Sequence, residues 1–485
     1  MTTPTSAAPP PRTSTTPTRT GTGTGTPVLS GTGLFTVLLG AALPLIDFFI
    51  VNVALPDIDR DLRTGEAVLE LVISGYGIAF AVLLVPCGRL GDLLGRRALF
   101  SLGLTTFALT SLACGLAPNA TFLVVARVAQ GAASALIAPQ VLATVQATTA
   151  GARRARAMSL YGAMAGLSMV TGQVLGGVLV SADLFGGGWR AVFLVNVPVA
   201  AVALALTART VPRTRSPRPE PVDVPGTVLL ALALGALLAP LTEGRAAGWP
   251  LWTWLSFAAF PFLAYAFYRV ERAADRAGRT PLVPPSLFRL VPLRRALVMI
   301  VPFDIGLSAF MFAVAVSLQQ GEGLAPVVAG LALAPFAVVF FLASLGGPRL
   351  IARWGTRVVT AGGALQAGGV ALIALAAWRT WPHLGVLQLL PGAVLMGAGQ
   401  ALQLPVLFRI VLSEVPAERA GVGSGVLTTT HQSALALGVA TLGSLFLTLA
   451  SGAGPRDALI VTLLIQLGVI AVTVGLSLRL PRTIA

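Results

Sequence analysis

The sequence predicts an all-α polytopic membrane protein of 14 transmembrane helices: two six-helix bundles and a two-helix insert. Three observations carry this expectation. Apolar runs recur along the 485-residue chain, each close to the roughly 20 residues that cross about 30 Å of hydrocarbon as a helix. Only 11% of the residues are charged, against about 25% in an ordinary soluble domain. The arginines collect in alternate loops, the pattern of a membrane protein that keeps its positive loops inside. There is no lysine, so all 33 basic residues are arginine, and the net charge is +15. Such a charge suits nucleic acid in a soluble protein. Placed between apolar runs, it excludes nucleic acid as a partner and makes the lipid bilayer the partner.

Read in order, the spans fall at 34–56, 69–87, 98–117, 122–146, 158–181, 190–207, 226–243, 251–270, 297–318, 327–347, 358–378, 384–411, 421–449 and 457–478. With the N-terminus inside, the inner loops, tails and adjoining span ends hold 26 arginines and the outer loops and span ends 6, and Arg127 alone falls well inside a span. That ratio puts both termini in the cytoplasm, and a missed span would scramble it. Residues 1–30 are rich in Thr, Pro, Ser and Gly. They lack the apolar core of a cleavable signal and read as a disordered cytoplasmic tail. The segments 208–225 and 271–296 are basic linkers, the first too Pro-rich to be helical throughout. Residues 479–485 form a short cytoplasmic tail. Cys87 and Cys114 fall near opposite faces of the membrane, too far apart for a disulfide.

A short motif occurs twice. Gly88–Arg97 reads GRLGDLLGRR and Pro348–Arg357 reads PRLIARWGTR. The first lies between spans 2 and 3, the second between spans 10 and 11. The duplication pairs residues 31–207 with 297–478 as two six-helix units and leaves 226–270 as the insert. A repeat of this kind places a substrate site near the membrane midplane between the units.

Several motifs together resemble the major facilitator superfamily, in its fourteen-span drug:proton antiporter branch. GRLGDLLGRR resembles the superfamily's 2–3 loop signature, and IDFFIVNVALP (Ile46–Pro56) the branch's first-span signature. Arg127, Gln130 and Gly131 resemble the RxxQG pattern of span 4, and Gly172, Gly176 and Gly177 the antiporter motif of span 5. WRAVFLVNVP (Trp189–Pro198) resembles the start of span 6, and VPAERAGVGSG (Val415–Gly425) the inner loop before span 13. Three positions depart from the pattern. Leu93 replaces a basic residue, Gln173 replaces the proline of Gly-Pro, and His431-Gln432 stands where Arg-Gln is common.

A charge at a helix centre costs about 2.5–3.5 kcal/mol on insertion scales, so such residues tend to be paired or functional. Asp47 and Arg127 lie at depths of roughly 13 and 8 Å from the outer face, close enough for an arginine to bridge. The resemblance implies that both line the N-terminal half of a cavity, with Asp47 exchanging a proton or recognising a cationic compound. A structural ion pair is the plain alternative. Asp304 stands near the start of span 9, the counterpart of span 1, so the two acids are candidates to face each other across the cavity. An acid held by the helix dipole is its plain alternative. His431 in span 13 titrates near neutral pH and is a candidate proton relay, or simply a packed histidine. Asn52, Gln130, Gln320 and Gln400, with Gln319 and Gln403, are candidate contacts for substrate or neighbouring helices. His383 falls in an outer loop.

In the 2–3 loop, Asp92 stands four and five residues before Arg96 and Arg97, so charge contacts close one helical turn. Gly88, Gly91 and Gly95 allow close helix approach. The resemblance implies that Asp92 helps to stabilise an outward-open form. The second copy has Ala352 in place of the acid and keeps Arg349, Arg353 and Arg357, which need only obey the inside rule. Gly162, Gly166 and the span 5 glycines form a small-residue face for helix contact.

No phosphate loop accompanies a soluble domain, and no metal-ligand cluster or enzyme domain is visible. No cofactor is expected. The expectation is a monomeric, proton-coupled antiporter in a bacterial cell membrane, expelling small amphipathic compounds, cationic or aromatic, by alternating access. A same-fold exporter of one natural product, siderophore or lipid is the alternative. An importer and a non-transporting sensor are the weaker ones.

Overall fold

The computed structural model describes residues 29–64, 66–183, 187–216, 223–244, 247–279, 281–413, 415 and 420–478. Most of the N-terminal tail and the tail 479–485 lie outside the described residues. So do parts of the linker 208–225 and of the loop before span 13. Every regular element among the described residues is helical, and 14 helices are long and apolar enough to cross a membrane.

Spans 1 to 5 are Gly31–Leu62, Glu66–Leu94, Arg96–Gly115, Ala120–Thr148 and Gly151–Ala182. Span 6 is Gly188–Thr210, span 7 Val224–Glu243 and span 8 Leu251–Arg276. Spans 9 to 12 are Val291–Gly321, Pro326–Trp354, Arg357–Thr380 and Val386–Ser413, span 13 is Val422–Ala453 and span 14 Pro455–Ser477.

Local chemistry sets several of these ends. The side chains of Ser30, Asn119 and Asp223 accept hydrogen bonds from the backbone N–H of Gly33, Phe122 and Gly226, capping spans 1, 4 and 7. Prolines occupy the first turn of spans 7, 9, 10 and 14, where their missing N–H costs nothing. Span 12 breaks at Leu402–Gln403, between helices Val386–Ala401 and Leu404–Ser413. A π turn at Val439–Gly443 interrupts span 13.

Two groups of six helices pack internally, 1 with 5, 2 with 4 and 3 with 4 in one, 9 with 13, 11 with 12 and 11 with 14 in the other. They meet where span 13 lies on spans 2 and 4, and where span 10 lies on span 5. Span 7 packs on span 2 and also touches span 13, so it covers one seam between the halves. Span 8 packs on span 7, and only 6% of its apolar window is buried. Its outward face carries Trp252, Trp254, Phe262 and Tyr265, an aromatic surface suited to lipid and its interface.

The duplicated motif has a backbone reason. Gly95 and Gly355 occupy equivalent positions and both hold left-handed φ, +104° and +60°. A side chain is strained at such angles, so each copy needs its glycine to turn the chain between two spans. Span 9 begins at Val291, earlier than the expected 297. Asp304 therefore lies mid-helix, about 20 Å along from the start, and not near a helix end.

Candidate functional site

Asp47 and Arg127 form a fully buried ion pair in the first half, Arg127 Nη1 donating to Asp47 Oδ2 at 2.5 Å. The other carboxylate oxygen accepts from Gln130 Nε2 at 2.9 Å and from Asn196 Nδ2 at 2.7 Å. Ser111 Oγ accepts from both amides, at 2.6 and 3.3 Å. Arg127 Nε donates to Val72 O, and the guanidinium lies 4.3 Å from the centre of the Tyr76 ring. Tyr76 in turn donates to Pro44 O. Five side chains from spans 2, 3, 4 and 6 thus gather around the one carboxylate of span 1. A buried pair is tolerated when most of its remaining polar atoms are bonded in this way; among the described residues Arg127 Nη2 has no hydrogen-bond partner.

Gly131 lets this happen. A Cβ there would lie 2.2 Å from Tyr76 O, so only glycine allows span 4 against span 2 at the level of Arg127. Gly172 and Gly176 do the same for span 5, whose backbone lies against Ile46 O and Ile50 O of span 1, each 2.9 Å from an added Cβ. Gly162 and Gly166 face the other half, against Pro405 and Phe340. Gly177 is buried with them.

The second half holds a smaller cluster. His431 Nδ1 and Asp304 Oδ2 are 2.8 Å apart, and Asp304 is fully buried. Its Oδ1 is also buried and has no hydrogen-bond partner among the described residues. Edge-to-face contact with Phe408, at 5.4 Å between ring centres, fixes the imidazole plane.

Between the halves lies a central cavity walled by Phe80 and Tyr161 from one side and by Phe408, Thr428 and His431 from the other. Its volume is about 40 Å³, far below the roughly 300–1,000 Å³ of ligand pockets. The halves are closed around it. His431 lines this cavity, whereas Asp47, Arg127 and Asp304 do not. The expected face-to-face arrangement of the two acids is therefore absent: each is enclosed within its own half.

On the side of the 2–3 and 10–11 loops the halves are bonded together. Gln146 Nε2 donates to Leu412 O and Val415 O, both at 2.9 Å, and Ser424 Oγ to Pro139 O at 3.1 Å. In the 2–3 loop, Asp92 pairs with Arg96 at 2.8 Å, and both are almost fully buried. Arg97 turns away and donates to Ala208 O and Val211 O at the end of span 6. Arg96 N donates to Thr214 O, Ser216 N to Asp92 O, and Arg89 Nη2 to Pro281 O. The motif is thus clamped onto both linkers. Gly88 and Gly91 are buried, and a Cβ at Gly91 would strike the Gln140 amide, whose Nε2 donates to Cys87 O. In the second copy Arg349, Arg353 and Arg357 are exposed.

A family model described as Major Facilitator Superfamily matches residues 37–439. The chain belongs to the Major Facilitator Superfamily. Among its relatives in this family are the probable actinorhodin transporter of Streptomyces coelicolor, 35% identical over 84% of this chain and 71% of that one. The multidrug resistance protein Stp of Mycobacterium tuberculosis is 33% identical over 86% and 75%. The tetracenomycin C resistance and export protein of Streptomyces glaucescens is 33% identical over 85% and 75%. The fold is that of the human organic anion transporter MFSD10, with a TM-score of 0.67 at 17% identity over 92% of this chain and 98% of that one. The proton:xylose symporter XylE superposes with a TM-score of 0.62 at 11% identity, over 90% and 94%. This is a multi-pass membrane transporter and not an enzyme.

Within this facilitator fold some expected residues fall elsewhere. Gln320 is exposed, in the π turn Ser317–Gly321 that ends span 9 and whose buried residues are Ser317 and Leu318. Gln400 is fully buried with neither amide atom bonded, while Gln403 Nε2 donates to Gln366 Oε1. Asn52 is half-buried. Asn196 and Ser111, both on the Asp47 carboxylate or its amides, were not singled out by sequence. Asn196 lies inside the quoted WRAVFLVNVP stretch, and an amide in an apolar run was the available signal. The same stretch supplies Trp189 and Arg190, which donate to Asp61 at the end of span 1, at 2.9 and 2.5 Å. The Trp189 indole foremost, then Arg190, holds the Asp61 carboxyl below its ordinary value. Cys87 and Cys114 are free and buried.

Proposed function

We propose that this transporter is a proton-coupled exporter of small amphipathic compounds, drugs or antibiotics among them, working by alternating access. Its moving units are the bundles 31–207 and 297–478, with 226–270 as a cover over the seam. The arginine-rich side is cytoplasmic, both termini included, and the chain works as a monomer in a bacterial cell membrane. The efflux reading draws on relatives described as antibiotic and multidrug exporters.

One observation carries the coupling. Asp304 is fully buried and its single side-chain partner among the described residues is His431, which lines the central cavity. A proton reaching the cavity has the imidazole as its first acceptor and the free Asp304 oxygen beside it. Asp47 differs, because both its oxygens are already bonded and its partner Arg127 cannot give up its charge. Asp304 and His431 carry the proton in this reading. The Asp47–Arg127–Gln130–Asn196 cluster holds spans 1, 4 and 6 as one body.

The cycle then needs the arginine-rich side to open. The bonds from Gln146 and Ser424 break and re-form, and the Asp92–Arg96 clamp on the linkers sets when they do. Gly162 and Gly166 of span 5, against Pro405 and Phe340, form the sliding contact between the halves. One proton crossing 100 mV supplies about 2.3 kcal/mol.

Everted vesicles with an acid interior and a pH-sensitive dye test the reading. Adding a transported compound releases protons from the wild type and not from Asp304→Asn. A compound that accumulates without proton release removes the coupling. A narrower reading, export of one natural product, draws on the actinorhodin and tetracenomycin relatives. It predicts that a single compound in a broad panel releases protons.

A further inference from the structure

At the arginine-rich end of the seam, a cleft of about 250 Å³ lies between spans 4 and 5 of the first half and span 12 of the second. Two guanidinium groups line it, Arg154 from one half and Arg409 from the other. Neither has an acidic partner among the described residues. Arg154 donates to the carbonyls of Thr149 and Gln146, and Arg409 makes no hydrogen bond or ion pair among those residues. Like charges sharing a partly enclosed space repel, and more strongly than in water.

The cleft has a third positive element. Gly151, the first residue of span 5, lines it, and no side chain caps that helix N-terminus. The unbonded first-turn N–H groups and the positive end of the helix dipole are therefore at the same place. The remaining wall is formed by Met158 and Leu412, with the polar Gln146 and Ser413 beside them. Met158 also lines the central cavity, so the cleft and the cavity are neighbours along one path.

We propose that this cleft binds the negatively charged group of the exported compounds: a carboxylate, phenolate or phosphate carried on an apolar body. The body lies along Met158 toward the aromatic walls of the central cavity. Planar guanidinium groups match such oxyanions with paired hydrogen bonds. The inference rests on the efflux reading for the words "exported compounds", and it replaces a cationic substrate class with an amphipathic anionic one. Because the two arginines belong to different halves, the bound anion also bridges the seam that must open.

The test uses the purified full chain in phosphatidylcholine nanodiscs with three probes of one shape: 1-naphthoate, 1-naphthamide and 1-naphthylmethylammonium. Naphthoate binds at least about tenfold more tightly than the other two. Arg409→Gln removes that preference and leaves naphthamide binding unchanged, while Arg409→Lys keeps part of it. Arg154 also holds the end of span 4, so Arg409 is the decisive position. Equal affinity for the three probes, or equal loss of all three in Arg409→Gln, overturns the proposal. Nanodiscs rich in phosphatidylglycerol separate the two sources of anion. If that lipid displaces naphthoate from the wild type, the cleft holds a lipid headgroup and the substrate assignment fails. Loss of proton release with naphthoate selectivity intact instead counts against the efflux reading alone.

Discussion

Asp304 and His431 meet at 2.8 Å from spans 9 and 13, and one face of the imidazole reaches the central cavity while the carboxylate is sealed behind it. In the proposed function this pair is the proton site, and it has an open side. The first half has a pair with none.

Neutralising the site uncouples the transporter. Asp304→Asn and His431→Phe each lower compound-induced proton release by at least about tenfold, the order of a lost general acid–base group. Compound binding, followed by displacement of a bound fluorophore, changes little in Asp304→Asn. Equal loss of binding and proton release would make the residue a substrate contact instead.

The Asp47–Arg127 pair behaves as structure. Removing one partner leaves a buried charge, at a cost of about 3–5 kcal/mol. Arg127→Gln and Asp47→Asn each lower the melting temperature in detergent by many degrees. The double variant loses less than the sum of the two, because the amides satisfy one another. Additive losses would mean the two side chains do not interact.

The glycines give a steric prediction with an internal control. Gly131→Ala puts a Cβ on the Tyr76 carbonyl and Gly172→Ala puts one on Ile46. Each costs about 1–3 kcal/mol, as overpacking does. A Cβ at Gly346 meets nothing within 4 Å, so Gly346→Ala is neutral in the same melting experiment.

Asp61 provides a pH reporter, because it lies on the span 1 helix beyond Gly31–Leu55, the stretch apolar enough to cross a membrane. Its carboxyl is held low by Trp189 and Arg190. A lowered folded-state pKa contributes stability that is present above the unfolded value and fades as pH falls through the folded one. The side chain is half-exposed, so the contribution is small. Trp189 fluorescence changes with a midpoint below the ordinary 3.8 of an aspartate, and Asp61→Asn abolishes the change. A midpoint at or above that value means that the Trp189 and Arg190 contacts do not hold in solution.

Much of this was readable in the sequence, and the physics says why. Apolar run length and arginine alternation respond to the bilayer, a strong and uniform field, so the fourteen spans and their order were legible. The repeated motif was legible because Gly95 and Gly355 solve the same backbone problem. The Asp47–Arg127 pair was reachable from depth alone. Asp304 was placed too near a helix end because Arg294 and Arg295 look like a boundary, yet long arginine side chains allow a helix to continue past them. Gln320 is in the last turn of span 9, where hydropathy does not say which residues face the core. Asn196 and Ser111 were overlooked since their value depends on a carboxylate brought near by tertiary packing. The Arg154–Arg409 cleft was hidden for the same reason: in sequence these residues count only as two more inner arginines.

The most direct test of coupling uses proteoliposomes containing only this protein, with a pH-sensitive dye inside. An outward gradient of a transported compound is imposed with no other driving force. The account predicts proton influx in step with compound efflux for the wild type, and compound binding without proton influx for Asp304→Asn. Compound efflux with no proton movement in the wild type, or an unchanged proton-to-compound ratio in Asp304→Asn, would contradict it.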